Sequence, residues 1–311
     1  MRPTLRPDVA TLVEAQRAVA DPLKHQSVER MREQLSALAA SYTARPDVYG
    51  VADEACEVDD RAIPLRVYRP DSETNGLCLY YHGGGWVRGD LETHDGIARE
   101  LCVRAQQTII AVDYRLAPEH PYPAAVQDAY AAVEWAVENA DRLGTDRQRI
   151  ALVGDSSGGN LAAVVANRWA LGQGPPLAGQ ALIYPVLDYG DETASFADFG
   201  AGYVLEAGAL EAYWDWYAPR PETRWAPELS PARASTVGQA PPTFIGTAEC
   251  DPLRDQAEEY AVRLAAAGVS TTCVRYQGMF HPFILFTKVL PESRAALADV
   301  ARWLRGLHID R

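Results

Sequence analysis

Arg149–Ala170 reads RIALVGDSSGGNLAAVVANRWA: an apolar run of strand length, a glycine-rich turn, and an alanine-rich run of helical length. The turn, Gly154-Asp155-Ser156-Ser157-Gly158-Gly159, carries Gly-x-Ser-x-Gly between a strand and a helix. That context is the one a nucleophile elbow requires, a sharp turn that lifts a serine hydroxyl clear of a sheet. A glycine-rich turn on its own is common, so the flanking strand and helix give the motif its meaning. Gly154 and Gly158 allow the two backbones to approach where side chains would collide. The helix N-terminus behind the turn adds free N–H groups and the positive end of a dipole. Ser156 holds the central place and is the expected nucleophile.

Outward from this turn the chain alternates. Strands are expected at LCLYYH, QTIIAVDY, RIALVG, GQALIYPVL, PPTFIGTAE and STTCVRYQ, with helices at GIARELCVRAQ, AVQDAYAAVEWAVENA, NLAAVVANRWALG and DQAEEYAVRLAAAG. Apolar strands separated by amphipathic helices predict an α/β fold whose mostly parallel central sheet is covered on both faces. Before them, GVADEACEVDD and AIPLRVYRP alternate like two paired strands, expected at the sheet edge. Earlier still, Ser27–Ala44 has helical spacing, with Val28, Met31, Leu35 and Leu38 on one face. The rhythm breaks between Asp191 and Pro231, where Phe196, Phe199, Tyr203, Tyr213, Trp214, Trp216, Tyr217 and Trp225 crowd an irregular stretch. A long aromatic insertion at that place predicts a helical lid over the sheet, the alternative being a loop with its own small core.

Acyl transfer needs more than a serine. Charge developing on a carbonyl oxygen calls for preorganised N–H donors. His82-Gly83-Gly84-Gly85-Trp86, directly after the strand LCLYY, presents bare backbone amides and reads as half of an oxyanion hole, completed by the amide of Ser157. No GK[ST] follows, so the loop does not read as a phosphate cradle. The hydroxyl needs a base, and the base an orienting carboxylate, in the chain order nucleophile, acid, histidine. Only His281 and His308 lie beyond Ser156. His308 sits in a polar tail and is expected on the surface, whereas His281 follows a strand in GMFHPF. Asp251 ends the strand FIGTAEC ahead of Pro252, at the carboxyl end where sites of parallel sheets form. Asp255 competes, but it opens the next helix, where an acid chiefly complements the dipole.

These pieces together resemble the hormone-sensitive-lipase-like family of α/β-hydrolases, above all its bacterial esterases. The resemblance rests on HGGGW (His82–Trp86), DYRLAPEHPYPAA (Asp113–Ala125), GDSSGGN (Gly154–Asn160), YPVLD (Tyr184–Asp188), DPLRD (Asp251–Asp255) and GMFHPF. It implies an α/β-hydrolase core over residues 46–190 and 232–311. It implies a helical cap built from N-terminal helices in residues 1–45 and the insertion 191–231. It also implies that Gly84 and Gly85 supply the loop amides. Ser157 stands where alanine is common, which bears on pocket polarity alone. The activity implied is hydrolysis of short- to medium-chain carboxylic esters; an amidase or long-chain lipase on the same fold, and a non-hydrolytic relative, are the alternatives. Trp86, Tyr184, Tyr203 and Trp214 are candidate pocket residues, with a place in the core as the other reading. Asp113–Glu119 is expected to brace loops, His82 to fix the glycine loop, and Cys250 to serve as a small buried hydrophobe.

Composition agrees with a large soluble core. Of 311 residues 48% are hydrophobic, enough to fold without disulfides or a structural metal. The five cysteines are scattered without Cys/His ligand spacing, so reduced thiols in the cytoplasm are expected, with no metal and no organic cofactor. A net charge of −13 argues against nucleic acid or an anionic membrane as partner. No secretory or membrane-spanning apolar run is visible. The expected partner is a small-molecule ester, and the C-terminal strand and helix could pair two copies into a homodimer.

Overall fold

A computed structural model describes residues 4–19, 27–71, 76–172, 174–190 and 193–307. His308 and Asp191, both weighed above, lie outside the described residues. The helices α1 (Pro7–Val19) and α2 (Val28–Tyr42) come first. Ser27 caps α2 by accepting from the Arg30 amide. On α2 the buried stripe is Met31, Leu35 and Ala39, so the face expected from Val28 and Leu38 is rotated slightly, leaving those two half-buried.

The sheet follows: β1 (Gly50–Val58), β2 (Arg61–Arg69), β3 (Leu77–Tyr81), β4 (Thr108–Val112), β5 (Ile150–Asp155), β6 (Gly179–Ile183), β7 (Thr243–Cys250) and β8 (Thr271–Phe280). Its order is β1-β2-β4-β3-β5-β6-β7-β8. From β4 to β8 every neighbour is parallel, while β2 runs antiparallel to both β1 and β4. The early pair thus occupies the edge that its alternation predicted.

The connecting helices are α3 (Asp95–Ala105), α4 (Ala124–Glu138), the short α5 (Ala140–Leu143), α6 (Ser157–Ala170), α9 (Arg254–Ala266) and α10 (Pro291–Gly306). Between β6 and β7 the insertion forms α7 (Ala194–Phe199) and α8 (Ala207–Tyr217). Strand alternation splits the core in two. Leu77, Leu79 and Tyr81 of β3 pack with α4, α6 and α9, while Cys78 and Tyr80 face α3 and α10. The helix α10 is the expected C-terminal helix, with Leu297, Val300, Ala301 and Leu304 recurring at helical spacing behind a proline at its start.

Of the strand ends that differ from expectation, two matter for the site. The strand expected through YPVL stops at Ile183, because Tyr184 takes φ 35° and Pro185 after it has no amide to continue the ladder. In contrast β8 runs three residues past Gln277, with a bulge opposite Ala248–Cys250. No helix among the described residues is long and apolar enough to cross a membrane.

Candidate active site

The turn between β5 and α6 holds Ser156 at φ 55°, ψ −119°, a conformation a non-glycine residue adopts only when its surroundings enforce it. Three backbone bonds do so: Ser156 N to Ile183 O at 2.9 Å, Val186 N to Ser156 O at 3.2 Å, and Asn160 N to Ser156 O at 3.1 Å. The flanking glycines are there for space. A Cβ on Gly154 would lie 2.2 Å from Gly158 O, and one on Gly158 would lie 2.0 Å from Tyr81 O.

Asp251 follows the last residue of β7 and is wholly buried. Its Oδ1 accepts from the Leu253 amide at 2.9 Å, and its Oδ2 lies 2.9 Å from His281 Nδ1. His281 follows the last residue of β8, and its Nε2 is 2.9 Å from Ser156 Oγ. The longer β8 is what carries the imidazole this far. With Nδ1–H donating to the carboxylate, Nε2 is left as acceptor for the serine proton. Asp255 points elsewhere: it accepts from Ser195 N at 2.7 Å and from Arg254 Nε at 2.8 Å.

The glycine loop after β3 reaches the same place. Gly84 has φ 133° and Gly85 φ 65°, values that turn their amides in a direction few side-chain-bearing residues tolerate. Among the described residues no acceptor takes the Gly84, Gly85 or Ser157 amide. Gly83 N instead donates to Asp155 Oδ1 at 2.9 Å, which also accepts from Tyr80 OH at 2.7 Å. Burial pushes the Asp155 carboxyl up, partly countered by these donors. His82 stacks on Tyr114 at 4.3 Å and on His94 at 5.4 Å, and burial pushes both imidazoles down to about 4. Both are neutral at pH 7, and His82 Nδ1 lies 3.0 Å from Gly83 O, inside its own loop. In the DYRLAPEH stretch, Tyr114 donates to His82 O, Arg115 pairs with buried Asp128, and Glu119 pairs with Arg32 of α2.

A pocket of about 580 Å³ opens over Ser156 and His281. Gly83, Gly84, Gly85, Trp86, Arg88, His94 and Asp155 form its loop side. Leu35 of α2 and Val204, Leu205, Leu210 and Tyr213 of the insertion close it from above. Both segments outside the sheet therefore border one cavity. The four pocket candidates are placed differently. Trp86 borders the cavity, stacked on Tyr217 at 4.3 Å. Tyr184 lies against the His281 ring, centroids 4.4 Å apart. Trp214 packs behind Trp86 at 4.8 Å and faces a separate compartment of about 430 Å³, and Tyr203 packs edge-on to Phe199. Sequence reading passed over Arg88, His94 and Leu210, and named Leu35 and Tyr213 only as parts of a helix face and of the aromatic insertion. Leu210 and Tyr213 share a helical face three residues apart, a signal that was available; Arg88 and His94 carry no local signal. Among the described residues no cluster of three or more His, Cys, Asp or Glu could hold a metal ion.

Comparison with known proteins agrees with this geometry. A family model described as alpha/beta hydrolase fold matches residues 78–285. Carboxylesterase NlhH of Mycobacterium tuberculosis is 44% identical over 253 residues, 79% of each chain. Ethyl acetate hydrolase of Pseudomonas putida is 38% identical over 318 residues, covering 97% of this chain and 99% of its own. The solved hyperthermophilic esterase from Pyrobaculum calidifontis superposes with a TM-score of 0.93 at 36% identity, over 98% of this chain and 99% of that one. By fold, motif order and identity, the chain belongs to the alpha/beta hydrolase fold family, in its hormone-sensitive-lipase-like branch.

Proposed function

We propose that this protein is a carboxylesterase that cleaves short- to medium-chain acyl esters through an acyl-enzyme on Ser156. The observation that carries the reading is the unbroken chain Asp251–His281–Ser156, two contacts of 2.9 Å each, opening into an apolar pocket beside unpaired amides. His281 Nε2 takes the hydroxyl proton as Ser156 Oγ attacks the ester carbonyl carbon. Asp251 holds the imidazole in the required tautomer and stabilises the imidazolium. The Gly84, Gly85 and Ser157 amides receive the oxyanion. His281 then protonates the departing alkoxide. Water, deprotonated in turn by His281, attacks the acyl carbon and releases the acid and Ser156.

The helices α2 and α8, with the loop that leads into α8, act as the cap over this chemistry, supported by Leu35, Val204, Leu205, Leu210 and Tyr213 along the pocket's upper side. Short and medium acyl groups suit a pocket whose upper side is closed by Leu35, Leu210 and Tyr213. The test is Ser156→Ala against wild type, with p-nitrophenyl esters from acetate to decanoate and fluorophosphonate labelling. Wild type should label on Ser156 and prefer the shorter esters. The variant should stay folded, fail to label, and lose about 10⁶ in kcat. Near-normal turnover in the folded variant would remove the assignment.

A further inference from the structure

The arginines of this protein are mostly neutralised by carboxylates, as with Arg32 and Glu119, Arg66 and Asp53, or Arg115 and Asp128. Arg88 differs. Among the described residues no carboxylate lies within ion-pair distance of it, and its buried Nε has no hydrogen-bond partner. Its backbone is fixed by a bond from Arg88 N to Gly84 O at 3.2 Å, which closes the glycine loop. Its side chain borders the pocket that holds Ser156, with the guanidinium carbon 5.7 Å from the centroid of the Tyr213 ring.

Three further pocket residues share this condition, the first being Trp86, whose Nε1 has no partner. His94 is 3% exposed and its Nε2 has no partner, the nearest carboxylate oxygen being Asp155 Oδ1 at 3.8 Å. Its Nδ1 lies 3.0 Å from Thr93 Oγ1; with the Thr93 hydroxyl donating to that nitrogen, the neutral imidazole carries its proton on Nε2 as a donor. Tyr213 is 4% exposed and its hydroxyl is also unpartnered. Buried polar groups are normally satisfied, and each exception calls for a partner. Here four exceptions border one cavity, and one of them belongs to a cation.

We propose that Arg88, His94 and Tyr213 form a subsite for a negatively charged group of the substrate, a carboxylate set apart from the ester bond that Ser156 attacks. The subsite rests on the reading of the chain as an ester hydrolase. Guanidinium suits this task because its planar, permanently charged donors match a carboxylate. With a net charge of −13 the protein repels anions at a distance, so recognition of one must come from a local cation in the site. Arg88 is that cation. The favoured substrates are then hemiesters, in which either the acyl or the alcohol portion ends in a carboxylate.

The test compares matched pairs of esters. On the acyl arm, ethyl hydrogen glutarate is set against its neutral terminal amide. On the alcohol arm, 3-acetoxypropionate is set against 3-acetoxypropionamide. For each pair kcat/KM is measured on wild type, Arg88→Met and Arg88→Lys. The methionine keeps an unbranched stem and removes the charge. On one arm the charged-to-neutral ratio should fall roughly ten- to hundredfold in Arg88→Met, the range for losing a bond to a charged group, and less in Arg88→Lys. That arm tells which end of the ester the subsite receives. A ratio within twofold of wild type on both arms would overturn the subsite. Should the variant fail to fold, the wild-type ratio itself should drop as sodium chloride is raised, and a parallel response of charged and neutral esters would overturn it equally. Failure of wild type to cleave any of the four esters would instead overturn the hydrolase reading, which keeps the two outcomes distinct.

Discussion

Asp155 Oδ1 accepts the Gly83 N–H at 2.9 Å, so the residue before Ser156 holds the first glycine of the loop that faces it. The bond links the ends of β3 and β5, neighbours in the sheet, on the side where charge would develop. Replacing Asp155 with Val removes the acceptor for both Gly83 N and Tyr80 OH. We expect kcat to fall about 10²-fold, near the low end for loss of an oxyanion donor, with KM changed far less. Asp155→Asn, which keeps an acceptor oxygen, should lose less. Equal loss in kcat and in thermal stability for both variants would assign the residue to folding alone.

Asp251 and Asp255 should separate cleanly. Only Asp251 contacts the imidazole, so Asp251→Asn should lower kcat by about 10⁴ through the wrong tautomer, with the fold retained. Asp255→Asn disturbs the bonds to Ser195 and Arg254 and should cost about 1–3 kcal/mol in urea unfolding, with most of kcat retained. The reverse ranking in steady-state kinetics would move the acid to Asp255.

Chain-length preference should answer to Leu210 rather than to the larger aromatics. Leu210 borders both the pocket over Ser156 and the compartment of about 430 Å³ lined by Tyr189, Phe196 and Trp214. Leu210→Ala should join the two, and each methylene that enters should gain about fourfold in kcat/KM, the equivalent of ~0.8 kcal/mol. Trp214→Ala, behind Trp86, should instead destabilise by roughly 3–5 kcal/mol. An ester series from acetate to decanoate checks this; an unchanged profile in folded Leu210→Ala would show that the partition does not limit length.

Acid stability should depend on His94. Its folded value of about 4 lies below the ordinary histidine value of 6.5, so both states are neutral above pH 6.5 and its contribution is intact there. As pH falls from 6.5 towards 4 the unfolded chain takes up a proton that the folded protein refuses, and stability is lost, up to about 3 kcal/mol for this imidazole. Asp113, pushed up to about 6 by burial, acts in the opposite sense over part of the same window. The comparison of His94→Gln with wild type isolates the histidine. Urea midpoints at pH 7, 6, 5 and 4.5 should fall less steeply in the variant, and identical slopes would contradict the assignment.

Much of this was legible from residue order. GDSSGG between a strand and a helix gave the turn; the position of His281 after a strand and of Asp251 before a proline gave their places at neighbouring strand ends. Alternation in GVADEACEVDD and AIPLRVYRP gave the antiparallel edge. What sequence hid was direction in space. Nothing local says that α2 brings Leu35 to the pocket, or that α8 turns Tyr213 towards Gly85 and Trp214 away from Ser156. Asp155 was hidden for a simpler reason: beside a nucleophile its carboxylate reads as part of the motif, and only its bond to Gly83, 72 positions earlier, reveals its task.

The attachment of α7 carries a last consequence. Ser195 N donates to Asp255 Oδ2, Asp255 N to Ser195 Oγ at 3.1 Å, and Ser195 Oγ to Pro252 O at 2.9 Å, the residue next to Asp251. The insertion is thus hung from the acid's own loop. Whatever displaces α7 therefore pulls on the Pro252 carbonyl beside Asp251, so the mooring of the insertion and the aim of the imidazole share one short loop.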